Sequence, residues 1–277
     1  MGAPAPRTAM KQGFKWSVHA LDRLRPCPRG VTVLIYHRVG GRTALDVDLP
    51  LATFEAQMET LAASGRVRAI DDALDALDGP EPADAAGDPI VVTFDDGTAD
   101  FAELAHPVLE RHGLPATIYV ATDFVERGVD FPNDGRPLSW AALRDTAASG
   151  LVTVGSHTHT HALLDRLPAP AIEDELDRAD ALIGEHVGGA VRHFAYPKAV
   201  AGSSPADAAV RVRYRSAALA GTRPNPYRAT DPYRLARAPI QTSDGMRFFA
   251  AKVAGGMRFE DTLRDAANRW RYRGQVG

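Results

Sequence analysis

The sequence predicts an α/β protein, a distorted (β/α) barrel of about seven parallel strands forming a single domain with an N-terminal helical arm. Three observations carry that expectation. Short β-rich apolar runs recur along the chain, among them Val31-Thr32-Val33-Leu34-Ile35-Tyr36, Ile90-Val91-Val92-Thr93-Phe94 and Leu151-Val152-Thr153-Val154-Gly155. Stretches with helical apolar spacing separate them, and strands that alternate with helices build parallel sheets, because a parallel return needs a crossover. Six or seven such units in roughly 240 residues fit a closed or nearly closed barrel better than an open sheet.

Local signals place the elements in order. Residues 1–28 hold Phe14, Val18, Leu21 and Leu24 at roughly helical spacing beside Arg7, Lys11, Lys15, Arg23 and Arg25. That pattern predicts a short amphipathic helix, packed on the domain or docked on a membrane surface or partner. The domain proper runs over 29–277. After the first strand, Thr53 caps a helix over 54–63. Residues 79–89 are dense in Pro, Gly, Ala and Asp and read as a surface connection into the strand at 90–94. A helix over 101–112 stops at Gly113, where a left-handed residue closes the last turn, and 116–121 is the next strand. The loop 130–137 is longer than a tight βα connection needs, as loops that shape a cleft often are. A helix over 140–149, the strand at 151–155, a helix over 171–186 and a strand over 192–196 follow. Shorter strands are expected near 213–217 and 233–235, and helices over 244–255 and 259–270. Glu173, Asp174, Glu175 and Asp177 crowd the early turns of the helix over 171–186, where the helix dipole favours negative charge, and they read as a solvated face.

Composition excludes several functions. The net charge of -3 provides no basic field, so nucleic acid is not an expected partner. Cys27 is the only cysteine, which rules out a disulfide framework or a cysteine-based zinc knot and leaves His and carboxylates to hold any metal. No run approaches ~20 apolar residues, so no transmembrane segment is expected. Residues 1–28 lack the apolar core of a secretory signal, and the chain reads as cytoplasmic, with the basic arm as its point of peripheral membrane contact. Nothing in the sequence specifies an oligomeric state.

The chemistry concentrates in two segments, Thr93-Phe94-Asp95-Asp96-Gly97 and Ser156-His157-Thr158-His159-Thr160-His161. Both follow strands of one βα series, and parallel strands end on the same rim, so the two segments meet. A His pair four apart and an aspartate from another strand make a donor set for zinc or a similar divalent ion, with positions open to water and substrate. The second aspartate is then free to take a proton from water that the ion acidifies.

These segments resemble the first two motifs of the polysaccharide deacetylases, the NodB-like carbohydrate esterase family 4, and the resemblance runs over roughly residues 31–255. It implies a metal-dependent hydrolase that removes the acetyl group from an N-acetylated carbohydrate, whether polysaccharide, lipid-linked sugar or small glycoside. It further implies that Asp95 is the base and that Asp96, His157 and His161 are ligands to Zn2+, or to Co2+, Ni2+ or Fe2+. His159 is left beside the site, at its rim or behind the ligands.

Phe194-Ala195-Tyr196-Pro197 resembles the third motif of a subgroup that has lost an arginine. Ala195 stands where other members place that arginine, which orients the base, so the resemblance implies an Asp95 without its usual partner. Tyr196 and Lys198 are expected at the substrate, with the Lys198 backbone N–H directed at the oxyanion. Trp140 is expected to face the cleft or to anchor its helix. The family's late Leu-x-His motif supplies a general acid; its nearest match here is Leu235-Ala236-Arg237, and arginine is a poor proton donor. His37 is therefore expected to take the acid or substrate-contact role, because first and last strands are neighbours when a barrel closes. His106, His112, His186 and His193 belong to no motif and read as surface or helix-end residues. Two other functions are compatible with the same residues: hydrolysis of a non-sugar amide, and carbohydrate binding without turnover.

Overall fold

A computed structural model of the protein describes residues 15, 27–82, 87–258 and 261. The helices expected over 1–28 and 259–270 lie outside those residues, apart from Lys15, Cys27, Pro28 and Asp261. The strands are β1 (Gly30–Tyr36), a short pair β2 (Arg38–Val39) and β3 (Asp48–Leu49), then β4 (Ile90–Phe94), β5 (Ala116–Val120), β6 (Val152–Ser156), β7 (His193–Ala195), β8 (Ser216–Ala218), β9 (Asn225–Pro226) and β10 (Arg237–Pro239). Among the described residues, seven of them form one curled parallel sheet in the order β10-β1-β4-β5-β6-β7-β8, and β9 pairs antiparallel with β1. Leu235 N donates to Ala217 O at 3.0 Å and Gly221 N to Arg237 O at 2.8 Å, which brings the chain around β8 against the chain entering β10. The sheet thus curls far enough for its end strands to meet, as the barrel expectation requires.

Every residue of β1 and β4 is buried. Strands covered on both faces need continuous apolar runs, and those runs are what the sequence shows. The covering helices are α1 (Leu51–Ser64), α2 (Ile70–Asp78), α3 (His106–His112), α4 (Thr122–Arg127), α5 (Trp140–Ala148), α6 (Ala169–His186), α7 (Ser204–Arg213) and α8 (Gly245–Val253). Phe54, Met58 and Leu61 of α1 enter the main core with Leu34, Tyr36, Val92 and Phe94. The Tyr36 and Phe94 rings stack at 5.4 Å, and Phe101 meets Phe94 edge-on at 4.9 Å. Among the described residues no helix is long and apolar enough to cross a membrane.

Three local departures from expectation have physical causes. The helix over 101–112 starts as a π-turn, Phe101–Ala105, in which His106 N bonds Phe101 O. Pro107 has no N–H with which to continue an α-helical ladder there, so the turn widens. The strand expected near 233–235 is instead a 3-10 turn, Pro232–Arg234, capped by the Asp231 carboxylate, and the strand forms a few residues later as β10. Residue 213 belongs to α7, and the strand expected from there begins at Ser216.

Register then positions the chemistry. Tyr36 pairs with Phe94, so His37 and Asp95 leave adjacent strands at one level. Val120 pairs with Ser156, which sets His157 on the same rim.

Candidate metal centre and active site

Asp95 N donates to Tyr36 O at 3.0 Å, extending the β1–β4 ladder by one residue before the chain turns. Asp96 then takes φ 75° and Gly97 φ 97°, and Ala121 N ties the turn down by donating to Asp96 O at 3.0 Å. A Cβ on Gly97 would lie 3.1 Å from Val120 Cγ1 in a left-handed backbone, so this turn requires glycine. The consequence is two adjacent carboxylates in different surroundings. The Asp95 side chain is 6% exposed and that of Asp96 19%.

His157 continues β6, its N–H donating to Val120 O at 3.0 Å. Its Nδ1 lies 2.7 Å from Ala195 O, which can only accept, so Nδ1 carries the proton and Nε2 presents its lone pair to the cleft. Asp96 Oδ1 is 3.7 Å from His157 Nε2 and 3.5 Å from His161 Nε2, and the donor atoms of the three residues all lie within 4.8 Å of one another. Ligands held 2.0–2.2 Å from one tetrahedral zinc sit about 3.4 Å apart, so this donor set fits such an ion. Burial, with His157 and Lys198 adding repulsion, outweighs the attraction of Asp96 and Asp95 and lowers His161 to about 4. A neutral imidazole is the form that ligates a metal.

Asp95 is not without an arginine. Arg237 reaches it from β10, donating from Nη1 to Oδ1 at 2.6 Å and from Nη2 to Oδ2 at 2.9 Å. This forked pair corrects the expectation drawn from Ala195: Asp95 has an arginine partner, and it comes from another strand. Arg237 is itself held on all sides. Nε donates to Leu219 O at 3.2 Å, Nη1 also donates to Thr93 Oγ1 at 3.1 Å, and the guanidinium carbon lies 5.0 Å above the Tyr119 ring. Burial pushes the Asp95 carboxyl up, but Arg237 and His157, the Arg237 hydrogen bonds and His37 outweigh it and bring it down to about 2. Asp95 is therefore ionised at neutral pH. Sequence reasoning had Leu235-Ala236-Arg237 in view only as a failed Leu-x-His motif. The signal it missed was a basic residue at the start of the strand that neighbours β1.

Ile35, His37, Asp95, Asp96, His157, His161, Lys198, Ala199, Ala220 and Pro239 line one cleft of about 250 Å³. A larger groove of about 360 Å³ lies among α5, β6 and α6, but its wall contains none of the motif residues. His37 Nδ1 is buried with no hydrogen-bond partner among the described residues. Lys198 sits in a left-handed turn at φ 53°, its side chain exposed at the cleft mouth.

Tyr196 points away from the cleft, and Trp140 takes the second of its two expected roles. Tyr196 is fully buried in a separate core cluster with Phe194 and Tyr214, its hydroxyl 3.5 Å from Asp207 of α7. Trp140 anchors α5: its ring stacks on His186 at 4.4 Å and its Nε1 donates to Glu126 Oε2 at 2.8 Å. Alternation along the strand sends Tyr196 outward, whereas Ala195 contributes its carbonyl to His157. His159 is buried behind the ligands, Nδ1 2.9 Å from Thr122 Oγ1. His193 is not a surface residue; it lies fully buried in β7, where desolvation lowers it to about 4.

Residues 83–217 match the profile of the family described as polysaccharide deacetylase. That stretch, just under half of the chain, is similar to the polysaccharide deacetylase family. Within the matched stretch lie Asp95, Asp96, His157, His161, Tyr196 and Lys198, whereas His37 and Arg237 fall outside it. IcaB from Ammonifex degensii is similar in structure at 26% identity with a TM-score of 0.70, over 82% of this chain and 98% of that one. BC0361, a polysaccharide deacetylase from Bacillus cereus, is 25% identical with a TM-score of 0.66, over 82% of this chain and 69% of that one. YxkH of Bacillus subtilis (strain 168), named among the polysaccharide deacetylases, is 26% identical over 151 residues, 54% of this chain. That match spans half the length of the curated relative.

Proposed function

We propose that this protein is a metal-dependent N-deacetylase that hydrolyses the acetamido group of an N-acetylated sugar. The observation that carries the reading is the division of labour between two neighbouring carboxylates. Asp96 faces His157 and His161, while Asp95 is claimed by Arg237.

A divalent ion held by Asp96, His157 and His161, whether zinc, cobalt, nickel or iron, supplies Lewis acidity for the amide carbonyl and acidifies water. Asp95 accepts the proton of the attacking water as its oxygen bonds to the carbonyl carbon. Arg237 keeps both Asp95 oxygens in one orientation. The Lys198 backbone N–H stands beside the cleft as an oxyanion donor. His37 gives a proton to the departing nitrogen as the C–N bond breaks, leaving acetate and a free amino sugar. The cleft is small against pockets that bury a drug-sized ligand whole, about 300–1,000 Å³, so it admits the reacting end of a sugar whose remainder lies outside.

The alternative of a non-catalytic carbohydrate binder draws on the missing arginine and the missing Leu-x-His motif; Arg237 supplies the first, and His37 in the cleft is proposed for the second. The test is acetate release from mono-, oligo- and lipid-linked N-acetylglucosamine, paired with metal analysis. Asp95→Asn is expected to retain its metal and lose turnover by at least ~10², the lower end for a general base. A metal-loaded wild-type protein that releases acetate from none of these sugars would overturn the reading.

A further inference from the structure

We infer that Glu175, on α6, is a positioning residue for the metal ligands: its carboxylate holds the 157–161 loop in the shape that sets His161 beside His157 and Asp96. The inference rests on the reading that these three residues bind a metal.

Both Glu175 oxygens are committed to the loop. Oε2 accepts from His159 N at 3.0 Å and Thr160 N at 2.8 Å, and Oε1 accepts from Thr160 Oγ1 at 2.6 Å. These three bonds end one residue before His161. The loop needs such support, because Thr158 at φ 66° and His161 at φ 63° both occupy the left-handed region that disfavours residues with a Cβ. On its other side the loop is gripped by α4, where Asp123 N donates to His159 O at 2.9 Å and Thr122 Oγ1 meets the His159 ring. Glu175 thus supplies the second jaw of a clamp.

Its place on the helix supports the assignment. Glu175 lies beyond the first turn of α6, where the helix dipole no longer accounts for an acid. Its neighbour Leu176 is fully buried, as are Ile172 and Ala179, so the helix carrying the carboxylate is fixed against the core. Asp174, by contrast, pairs among the described residues with Arg178 on the solvent side.

The test is zinc affinity of the full chain, measured by competition with a chromophoric chelator. Glu175→Gln loses the charge, and Glu175→Asp keeps the charge while shortening the reach. Both are expected to bind zinc about 10- to 100-fold more weakly, as loss of groups behind metal ligands typically does. Asp174→Asn removes a nearby charge and is expected to bind within about twofold of wild type. Thr160→Val, an exposed change that deletes one of the three bonds, is expected to weaken binding about two- to tenfold and covers the case in which Glu175 variants fail to fold. Wild-type affinity in Glu175→Gln overturns the inference. So does a loss shared by Glu175→Gln and Asp174→Asn but absent from Glu175→Asp, which would assign the effect to charge alone. A wild-type chain that binds no zinc fails at the metal reading itself, which separates the two failures.

Discussion

The Arg237 guanidinium and the Asp95 carboxylate form a forked pair from which water is excluded, with 1% and 6% of their side chains exposed. Removing one partner of a buried pair leaves an uncompensated charge, at a cost of about 3–5 kcal/mol. Arg237→Met is accordingly expected to lower the unfolding free energy at pH 7 by that amount and acetate release by at least ~10², through loss of the base's orientation. Arg237→Lys keeps the charge without the fork and should fall between Met and wild type. Urea unfolding and acetate assay read the two effects separately; a Met variant as stable as wild type would show that the pair contributes nothing net. The metal half of the site was readable because His157, His161 and Asp96 lie in contiguous segments at strand ends. Arg237 was not, because its partner lies 142 positions upstream and nothing local distinguishes it from a surface arginine.

The acid-rich start of α6 reads from sequence as a solvated face, and Glu173, Asp174 and Asp177 are exposed there, whereas Glu175 and Asp180 are partly buried. Glu173 and Asp177 pair with Arg213 of α7, Asp180 accepts from the Tyr214 hydroxyl at 2.9 Å, and Glu175 holds the ligand loop. Periodicity reports which side of a helix is polar, but not whether a basic partner covers it. Burial raises Asp180 to about 6; the Tyr214 hydrogen bond and Arg213 oppose the rise, and Asp177 adds to it. A carboxyl whose folded value lies above its unfolded value favours the fold when protonated, so stability from this group is lost as pH rises from about 4 through about 6. Asp180→Asn keeps an acceptor for Tyr214 and removes the ionisation. It is expected to be about 1 kcal/mol more stable than wild type at pH 8, with the advantage gone by pH 4, a value reduced from ~2.7 for partial exposure. An advantage of equal size at both pH values in urea unfolding would sink this account.

Among the described residues, the curl brings the C-terminal ends of the seven parallel strands to one rim, where Asp96 after β4 meets His157 and His161 after β6 across β5. A ligand that binds only the folded chain stabilises it by mass action, about 2.7 kcal/mol at a hundredfold excess over Kd. Zinc at that excess is expected to raise the thermal midpoint of the wild-type chain by several degrees and to leave Asp96→Ala unmoved. An equal shift in both proteins would place the bound ion elsewhere. The same curl brings β10 beside β1, so Arg237 can reach Asp95 across the interior.

The sequence by itself determined the parallel α/β architecture, because apolar runs and helical spacing are local patterns, and it determined that Asp96, His157 and His161 meet, because they sit next to the strands that aim them. It misplaced Tyr196, His193 and Glu175, whose surroundings come from elements far away in the chain. Only the tertiary structure decided that Asp95 has an arginine and that Glu175 bonds the 157–161 loop. Both are contacts between segments that share no local pattern, and they exist only once the sheet has curled and α6 has packed against it.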